Sequence, residues 1–448
     1  MNGVKPNVVY IFSDQHRAEA VGYENHPDVK TPNMDQLAQQ ALRFTTAVSC
    51  MPVCAPYRAS LMTGQYPLTH GVFVNDVQLS NTAVSLGQAF QAGGYHTAYI
   101  GKWHLDGPNR SAFIPVERRQ GFDHWCVLNC THDYNTSNYY DNEDQFKQWE
   151  GYDAFAQTKE AQRYISQYKD DKPFILVLSW GPPHNPYETA PKAYRDMYDP
   201  QQLTLRGNIP HADEEKAREE LAGYYSHITA LDDCLGSLME TITEKGILND
   251  TIVIYTSDHG DMLYSHGEIR KQRPWDESIR VPFLLHYPRE FGNKAKEISI
   301  PFNTPDIMPT LLGLCGLTIP ETVEGTNFTP HLLGEETLHI EEALIMCPHP
   351  FGEYKRIQNG REYRGIRTER YTYVKDLKGP WLLYDNKVDP LQLHNLVDLH
   401  EYEQLQKDLD LRLMSLLKQR DDDFLPGEAY IDRWGYEVDQ NGTVPFVL

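Results

Sequence analysis

Apolar runs four to seven residues long recur along the chain at 8–12, 97–100, 174–180, 251–256 and 283–286. Unbroken runs of that length predict strands buried on both faces, as in a parallel sheet, whereas strict alternation would predict a half-exposed strand. Helical spacing fills the gaps. Residues 33–41 carry Leu37 and Ala41 four apart, and 84–92 ends at Gly93-Gly94. Residues 213–245 form a long amphipathic pattern closed by Gly246, with Asp213 as N-cap ahead of Glu214 and Glu215. Strands alternating with helices predict an α/β fold, a large and mostly parallel sheet sandwiched by helices.

From about Tyr363 the pattern changes. Residues 365–374 and 381–384 are aromatic-rich and alternating, as in antiparallel strands, and 396–420 place Leu405, Leu409, Leu413 and Leu416 on one helical stripe. This predicts a main domain over 1–362 and a smaller antiparallel-sheet-plus-helix subdomain over 363–448. Residues 113–153, rich in Tyr, Asn and Asp, read as an insertion across the surface.

One stretch stands apart from this periodicity: Cys54-Ala-Pro56-Tyr-Arg58-Ala-Ser-Leu-Met-Thr-Gly64. Proline near the first turn and glycine after the last predict a short helix over 56–63, with Cys54 and Arg58 four residues apart on one side. A thiol at a positive helix end beside a guanidinium suits an anion site or a nucleophile. The same spacing also fits a buried cysteine and a surface arginine.

Composition narrows the chemistry. With 41 basic and 63 acidic residues among 448, the net charge of −22 argues against a nucleic-acid or anionic-membrane surface. It leaves an anionic small substrate open, since a few cleft cations outweigh a screened, distant acidic surface. Seven cysteines do not suggest a disulfide framework. Cys50/Cys54 and Cys126/Cys130 have zinc-like spacing, but neither pair has a convincing partner pair. No signal peptide is visible ahead of residue 8, so the expected location is cytoplasmic, or periplasmic or secreted if an export signal was trimmed.

In open parallel sheets, ligands bind at the carboxyl ends of the strands. Four of the five runs are followed there by ionisable groups: Asp14-Gln15-His16, Lys102-Trp103-His104, His184-Asn185 and Asp258-His259-Gly260-Asp261. Asp14, Gln15, Asp258 and His259 offer mainly oxygen ligands for Ca²⁺ or Mg²⁺, and the imidazole also suits Mn²⁺. Arg58, Lys102, His104, His184 and Lys271 are cationic and would surround a compact oxyanion such as sulfate or phosphate.

These motifs together resemble the type I sulfatases of the alkaline-phosphatase superfamily. Cys54-Ala-Pro56-Tyr-Arg58 is similar to that family's Cys-x-Pro-x-Arg signature, and Gly101-Lys-Trp-His-Leu105 to its second motif. Ser257-Asp-His-Gly260, His266-Gly267, Lys271 and Ser278-Ile-Arg-Val-Pro282 are similar to its later metal and sulfate segment. The resemblance implies an alkaline-phosphatase-like sheet and a formylglycine made from Cys54 by a maturation enzyme. The hydrated aldehyde attacks sulfur, and its second hydroxyl lets the sulfated diol collapse. By the same resemblance Asp14, Gln15, Asp258 and His259 hold Ca²⁺, and Arg58 and Lys102 orient the modified Cys54. His104 serves the collapse as base, while His184 and Lys271 bind sulfate and protonate the leaving oxygen. Many members carry Asp and Asn where this chain has Gln15 and His259. The Asp-Gln with Asp-His set also occurs among relatives that hydrolyse phosphonate and phosphate monoesters, which is the rival reading; Lys102 with His104 favours sulfate esters.

The expected substrate is a sulfated sugar of a glycan, attacked in exo fashion. Asn75 and Asp76 near the predicted helix, His132, Tyr134, Tyr139 and Tyr140 in the insertion, and His349, Lys355, Arg356, Arg361 and Arg364 further on are candidates for sugar recognition. Without conversion of Cys54 the chain would be a sulfated-glycan binder, and a cysteine–histidine hydrolase is a third alternative. The sequence does not give the oligomeric state.

Overall fold

A computed structural model describes residues 5–448. Eight strands form the main sheet: β1 (Asn7–Asp14), β2 (Leu42–Phe44), β3 (His96–Lys102), β4 (His124–Leu128), β5 (Phe174–Pro183), β6 (Thr251–Ser257), β7 (Phe283–His286) and β8 (Lys296–Ile298). Their order is β8-β2-β7-β6-β1-β5-β3-β4. β1 pairs in parallel with β5 and β6, and β3 with β5 and β4. β7 runs antiparallel to β6 and β2, so residues 283–286 do not join the parallel set. Between β6 and β7 lies no helix longer than the four residues Asp276–Ile279. A parallel return needs a longer crossover, so the chain comes back alongside.

The central strands are buried on both sides because alternate residues feed two cores. Val8, Tyr10 and Phe12 of β1 pack with Leu61, Met308 and Leu311, whereas Val9 and Ile11 pack with Leu231, Leu235 and Leu238. The helices are α1 (Pro32–Ala38), α2 (Cys54–Thr63), α3 (Leu86–Ala92), α4 (Asp153–Gln167), α5 (Glu214–Glu244), α6 (Thr304–Leu314), α7 (Glu403–Gln419) and α8 (Gly427–Trp434). α5 is the long amphipathic helix expected from the pattern, and it lies on the Val9 side of the sheet. α2 begins two residues earlier than proline placement suggested, so Cys54 is inside its first turn. All ten of its residues are buried, and Gly64 (φ 66°) ends it as expected by donating to the Ser60 carbonyl.

The stretch 113–153 is not a surface insertion alone. It supplies β4, the edge strand of the main sheet, paired residue by residue with β3, and it buries Tyr134, Tyr140 and Trp149. The small sheet has four antiparallel strands: β9 (Glu342–Cys347), β10 (Tyr363–Thr368), β11 (Tyr371–Asp376) and β12 (Gly379–Asp385). The division expected at 362/363 therefore cuts between β9 and its partner β10. β9 is locked in by more than that pairing, since the Met346 N–H donates to the Cys50 carbonyl beside α2. Leu344, Met346, Ile366, Leu409, Leu413 and Leu417 join the same core as β1 and α2, so the smaller sheet is packed onto the main body without a core of its own on that side. Among the described residues no helix is long and apolar enough to cross a membrane.

Candidate active site

The parallel strands β1, β3, β5 and β6 bring their carboxyl ends to one edge of the sheet, and α2 runs beneath that edge. Gly101 makes the close approach possible there. It has φ 107°, and a Cβ at this position would lie 2.0 Å from the Ser179 carbonyl oxygen of β5. Gln15 (φ 74°) and His104 (φ 58°), just past β1 and β3, also take the left-handed conformation, a backbone strain that concentrates at functional sites.

Cys54 is the point of convergence. Its sulfur lies 3.4 Å from Asp14 Oδ1, 3.4 Å from His259 Nε2 and 3.3 Å from Lys271 Nζ, and the residue is 1% exposed. Arg58, one turn on, is wholly buried and uses its guanidinium on four groups. Nη1 donates to the Lys102 carbonyl and Ser179 Oγ, both at 2.7 Å, and Nη2 lies 3.2 Å from Asp14 and 3.5 Å from Asp258. Lys102 Nζ donates to Asp14 Oδ2 at 2.7 Å. Burial alone would raise the Asp14 carboxyl, but Lys102, Lys271 and Arg58 hold it well below the usual range. Burial and then the Asp14 charge push Asp258 up to about 7.

That conflict between buried carboxylates is what a divalent cation relieves, and the donors fit one. Ligand atoms of Asp14, Cys54, Asp258 and His259 all lie within 4.8 Å of one another. His259 Nδ1 donates to the Gly260 carbonyl at 2.8 Å, which leaves the Nε2 lone pair facing the cluster. Gln15 Nε2 donates to Asp261 Oδ2 at 2.7 Å, while its buried Oε1 has no partner. Two carboxylates, an amide oxygen and one imidazole suit a hard or borderline divalent ion.

Lys271 and His184 continue the polar cluster from the Cys54 sulfur. Lys271 Nζ donates to His184 Nε2 at 2.8 Å, and His184 Nδ1 donates to the Asn185 carbonyl at 2.7 Å. This fixes His184 as a neutral ring with its acceptor toward Lys271. Burial, then Lys271 and His132, hold its pKa well below the ordinary value. His104 sits against Asp76, which in turn takes two 2.7 Å hydrogen bonds from Arg110. Burial opposes charge on His104, but the Cys130 sulfur and Asp76 lift its pKa to about 10.

The nine residues expected at the metal and oxyanion positions thus meet around Cys54. The expected sugar-recognition residues do so only in part. His132 stacks face to face on His184 with ring centroids 4.3 Å apart, so it borders the cationic pocket. Asn75 accepts from the Ala55 N–H at 3.2 Å and satisfies an otherwise unpaired donor at the start of α2. Asp76 is a buried support for His104 rather than a group facing a sugar. Tyr134 is 1% exposed and donates to the Gly181 and Asn185 carbonyls, bracing the His184 loop. Tyr139 lies flat on Trp149 at 3.8 Å, and Tyr140 is buried. His349 is buried and donates to the Gly442 carbonyl at 3.2 Å. Arg361 pairs with Asp376 and stacks on Trp381, Arg356 pairs with Glu362 and Glu428, and Arg364 is buried against Asp422. Lys355 donates to Asn441. These side chains are engaged by internal partners, from six residues away, as Arg356 with Glu362, to more than ninety, as His349 with Gly442. Ser179, Arg110 and Asp261, which hold Arg58, Asp76 and Gln15, were not singled out for those roles. Only Asp261 carried a signal, by its place three residues after Asp258.

Comparison with known proteins agrees with this geometry. The family model described as Sulfatase matches residues 6–317, and the one described as N-sulphoglucosamine sulphohydrolase, C-terminal, matches residues 265–419. An ulvan-active sulfatase of Formosa agariphila is 45% identical over 98% of this chain and 86% of its own length. An endo-4-O-sulfatase of Bacteroides thetaiotaomicron is 30% identical over 96% of this chain and 95% of its own. A solved structure from work on the metabolism of multiple glycosaminoglycans by Bacteroides thetaiotaomicron superposes with a TM-score of 0.86 at 28% identity, covering 96% of this chain and all of that one. The signature helix, the shared strand-end site and full-length similarity lead to one conclusion: the chain belongs to the sulfatase family, the sulfuric ester hydrolases of the alkaline-phosphatase superfamily.

Proposed function

We propose that this enzyme releases inorganic sulfate from a terminal sugar of a sulfated glycan, using a formylglycine made from Cys54 and Ca²⁺ held by Asp14, Gln15, Asp258 and His259. The observation that carries the reading is the meeting of Lys271 and the metal ligands at the Cys54 side-chain atom, with His184 and Lys102 behind them. Ulvan-active and endo-4-O-sulfatase names among the relatives support a sulfated polysaccharide or its fragments as substrate. The recessed nucleophile supports action at a chain end, where a single sugar can enter.

In this reading the hydrated formylglycine supplies the attacking hydroxyl and a second hydroxyl through which the enzyme regenerates. Asp14, Gln15, Asp258 and His259 would hold a divalent cation, which would offset the charge repulsion between Asp14 and Asp258 and supply Lewis acidity to the attacking group. Lys102 and Arg58 hold Asp14 ionised and in place. Lys271, steadied by donating to His184 Nε2, offers its remaining N–H groups to a sulfate oxygen and the bridging oxygen. A proton at the leaving oxygen comes from the Lys271–His184 pair. His104, fixed by Asp76 and Arg110, would take the proton of the second hydroxyl only after releasing its own, because its pKa is lifted to about 10. α2 is buried along its whole length, so the maturation enzyme must reach Cys54 before this helix packs.

Two measurements test the reading. Mass spectrometry of the peptide spanning Cys54, from protein made with a maturation enzyme, should show the aldehyde; a persistent thiol in active protein overturns the mechanism. Turnover should be fastest on defined sulfated saccharides with a terminal sulfate. Faster release from internal positions would overturn exo action, and faster turnover of phosphonate esters than of every sulfate ester would overturn the substrate class.

A further inference from the structure

A second group of metal-ligating side chains lies away from the active site, between the edge strand β4 and helix α4. His124 and Cys126 are two apart on β4 and therefore point to the same face of the sheet. α4 crosses that face and sets Glu160 over them. His124 Nε2 lies 3.2 Å from Glu160 Oε1, and the Cys126 sulfur lies 3.8 Å from each of those two atoms. The three ligand atoms fall within 4.8 Å of one another.

Those separations have a specific meaning. A tetrahedral zinc ion with bonds of about 2.1 Å to nitrogen and oxygen and about 2.3 Å to sulfur spaces its donors about 3.4 Å apart for N and O. For sulfur with either partner the spacing is about 3.6 Å. The observed triangle is within about 0.2 Å of that face. Glu160 Oε2 accepts from Arg163 Nε at 2.7 Å and Oε1 from Nη2 at 2.5 Å, so the carboxylate is held in orientation and Oε1 keeps a second lone-pair direction. His124 also lines a surface pocket together with His96, Arg163 and Tyr164. The Cys126 side lies inside the protein, while His124 and Glu160 are partly exposed, so an ion can enter from solvent.

We propose that His124, Cys126 and Glu160 form a second cation site, selective for Zn²⁺ or another borderline-soft divalent ion, that clamps the edge strand β4 to α4. A thiolate and an imidazole favour such an ion over Ca²⁺, which takes oxygen ligands. Binding forms one S–metal, one N–metal and one O–metal bond, and the Cys126 thiol proton goes to solvent. Water from the pocket takes the fourth position. The cysteine spacing noted in the sequence, Cys126 with Cys130, does not make the site. Cys130 lies beyond the strand next to His104 and Lys102, and Cys126 finds its partners two residues back and on the next helix.

The test uses the full chain carrying Cys54→Ser, so that the Asp14, Asp258 and His259 cluster offers no thiol ligand, in reducing buffer with excess Ca²⁺. Added Co²⁺ should give one near-ultraviolet thiolate charge-transfer band per chain, and dialysis against Zn²⁺ should leave one zinc per chain by elemental analysis. Adding Cys126→Ser should abolish the band and the retained zinc. His124→Ala and Glu160→Gln should each weaken retention at least tenfold while circular dichroism stays that of the parent. Absence of the band in folded Cys54→Ser protein overturns the proposal. So does a band that survives Cys126→Ser, or zinc retention unchanged by both His124→Ala and Glu160→Gln. If Cys126→Ser does not fold, the other two variants decide alone.

Discussion

Arg58→Met is the sharpest perturbation of the site, because one buried guanidinium serves four groups. The substitution keeps much of the volume and removes the charge. It leaves Asp14 and Asp258 facing each other without their guanidinium, and the Lys102 carbonyl and Ser179 hydroxyl each without a donor. Removing one partner of a buried ion pair costs roughly 3–5 kcal/mol, because the surviving charge stays desolvated. For a chain of 448 residues the unfolding entropy is about 0.9 kcal/mol per kelvin, so that loss lowers Tm by about 3–5 °C. A metal dependence follows from the same pair of carboxylates. A divalent cation at Asp14 and Asp258 supplies the charge that Arg58 no longer gives, so saturating Ca²⁺ should raise Tm more in the variant than in the parent. Differential scanning calorimetry of both proteins, in chelator and in Ca²⁺, reads this directly. A variant melting within 1 °C of the parent in chelator, or a Ca²⁺ gain no larger than the parent's, refutes the reasoning.

Other outcomes follow from the same structure. Chelation should abolish sulfate release and a divalent ion should restore it; a rate unaffected by complete metal removal, checked by elemental analysis, contradicts the assignment of Asp14, Asp258 and His259. Asp76→Asn weakens the hold on His104 by Arg110, so kcat should fall at least tenfold with KM little changed; an equal rise in KM would instead place Asp76 on the substrate. Burial pushes the Asp153 carboxyl up to about 8, and its Oδ1 has no partner. An unfolded aspartate titrates near 3.9, so the folded state binds the extra proton between about pH 4 and 8, and stability falls as pH rises through that window, by about 6 kcal/mol at most. Asp153→Asn should flatten that slope in melting curves, and an unchanged slope would show that another group sets it. Gly101→Ala would drive a methyl into the Ser179 carbonyl at a positive φ, so soluble yield should drop sharply, whereas normal yield and Tm would contradict the packing between β3 and β5.

The convergence of the candidate catalytic and metal residues was legible in the chain because an α/β sheet turns a one-dimensional regularity into a place. Each buried run ends in ionisable residues, and parallel pairing of β1, β3, β5 and β6 puts those ends together. Lys271 and Cys54, which follow no parallel strand, were reachable through the resemblance of their motifs. The sugar-recognition residues were not legible. Arg361, Arg364 and Tyr134 have the right chemistry, but their partners Asp376, Asp422 and the Gly181 and Asn185 carbonyls consume it.

What the sequence determined by itself was five of the eight main-sheet strands, the long helix α5, the stop at Gly64 and the residue types of the centre, all of which follow from local spacing and backbone permissiveness. Only the tertiary structure decided that β7 turns antiparallel, that β9 belongs with the small sheet, that β4 edges the main one, and that Asp76 serves His104. These depend on pairings between segments tens to hundreds of residues apart. There the free energy comes from which surfaces and charges meet, and no local pattern encodes that choice.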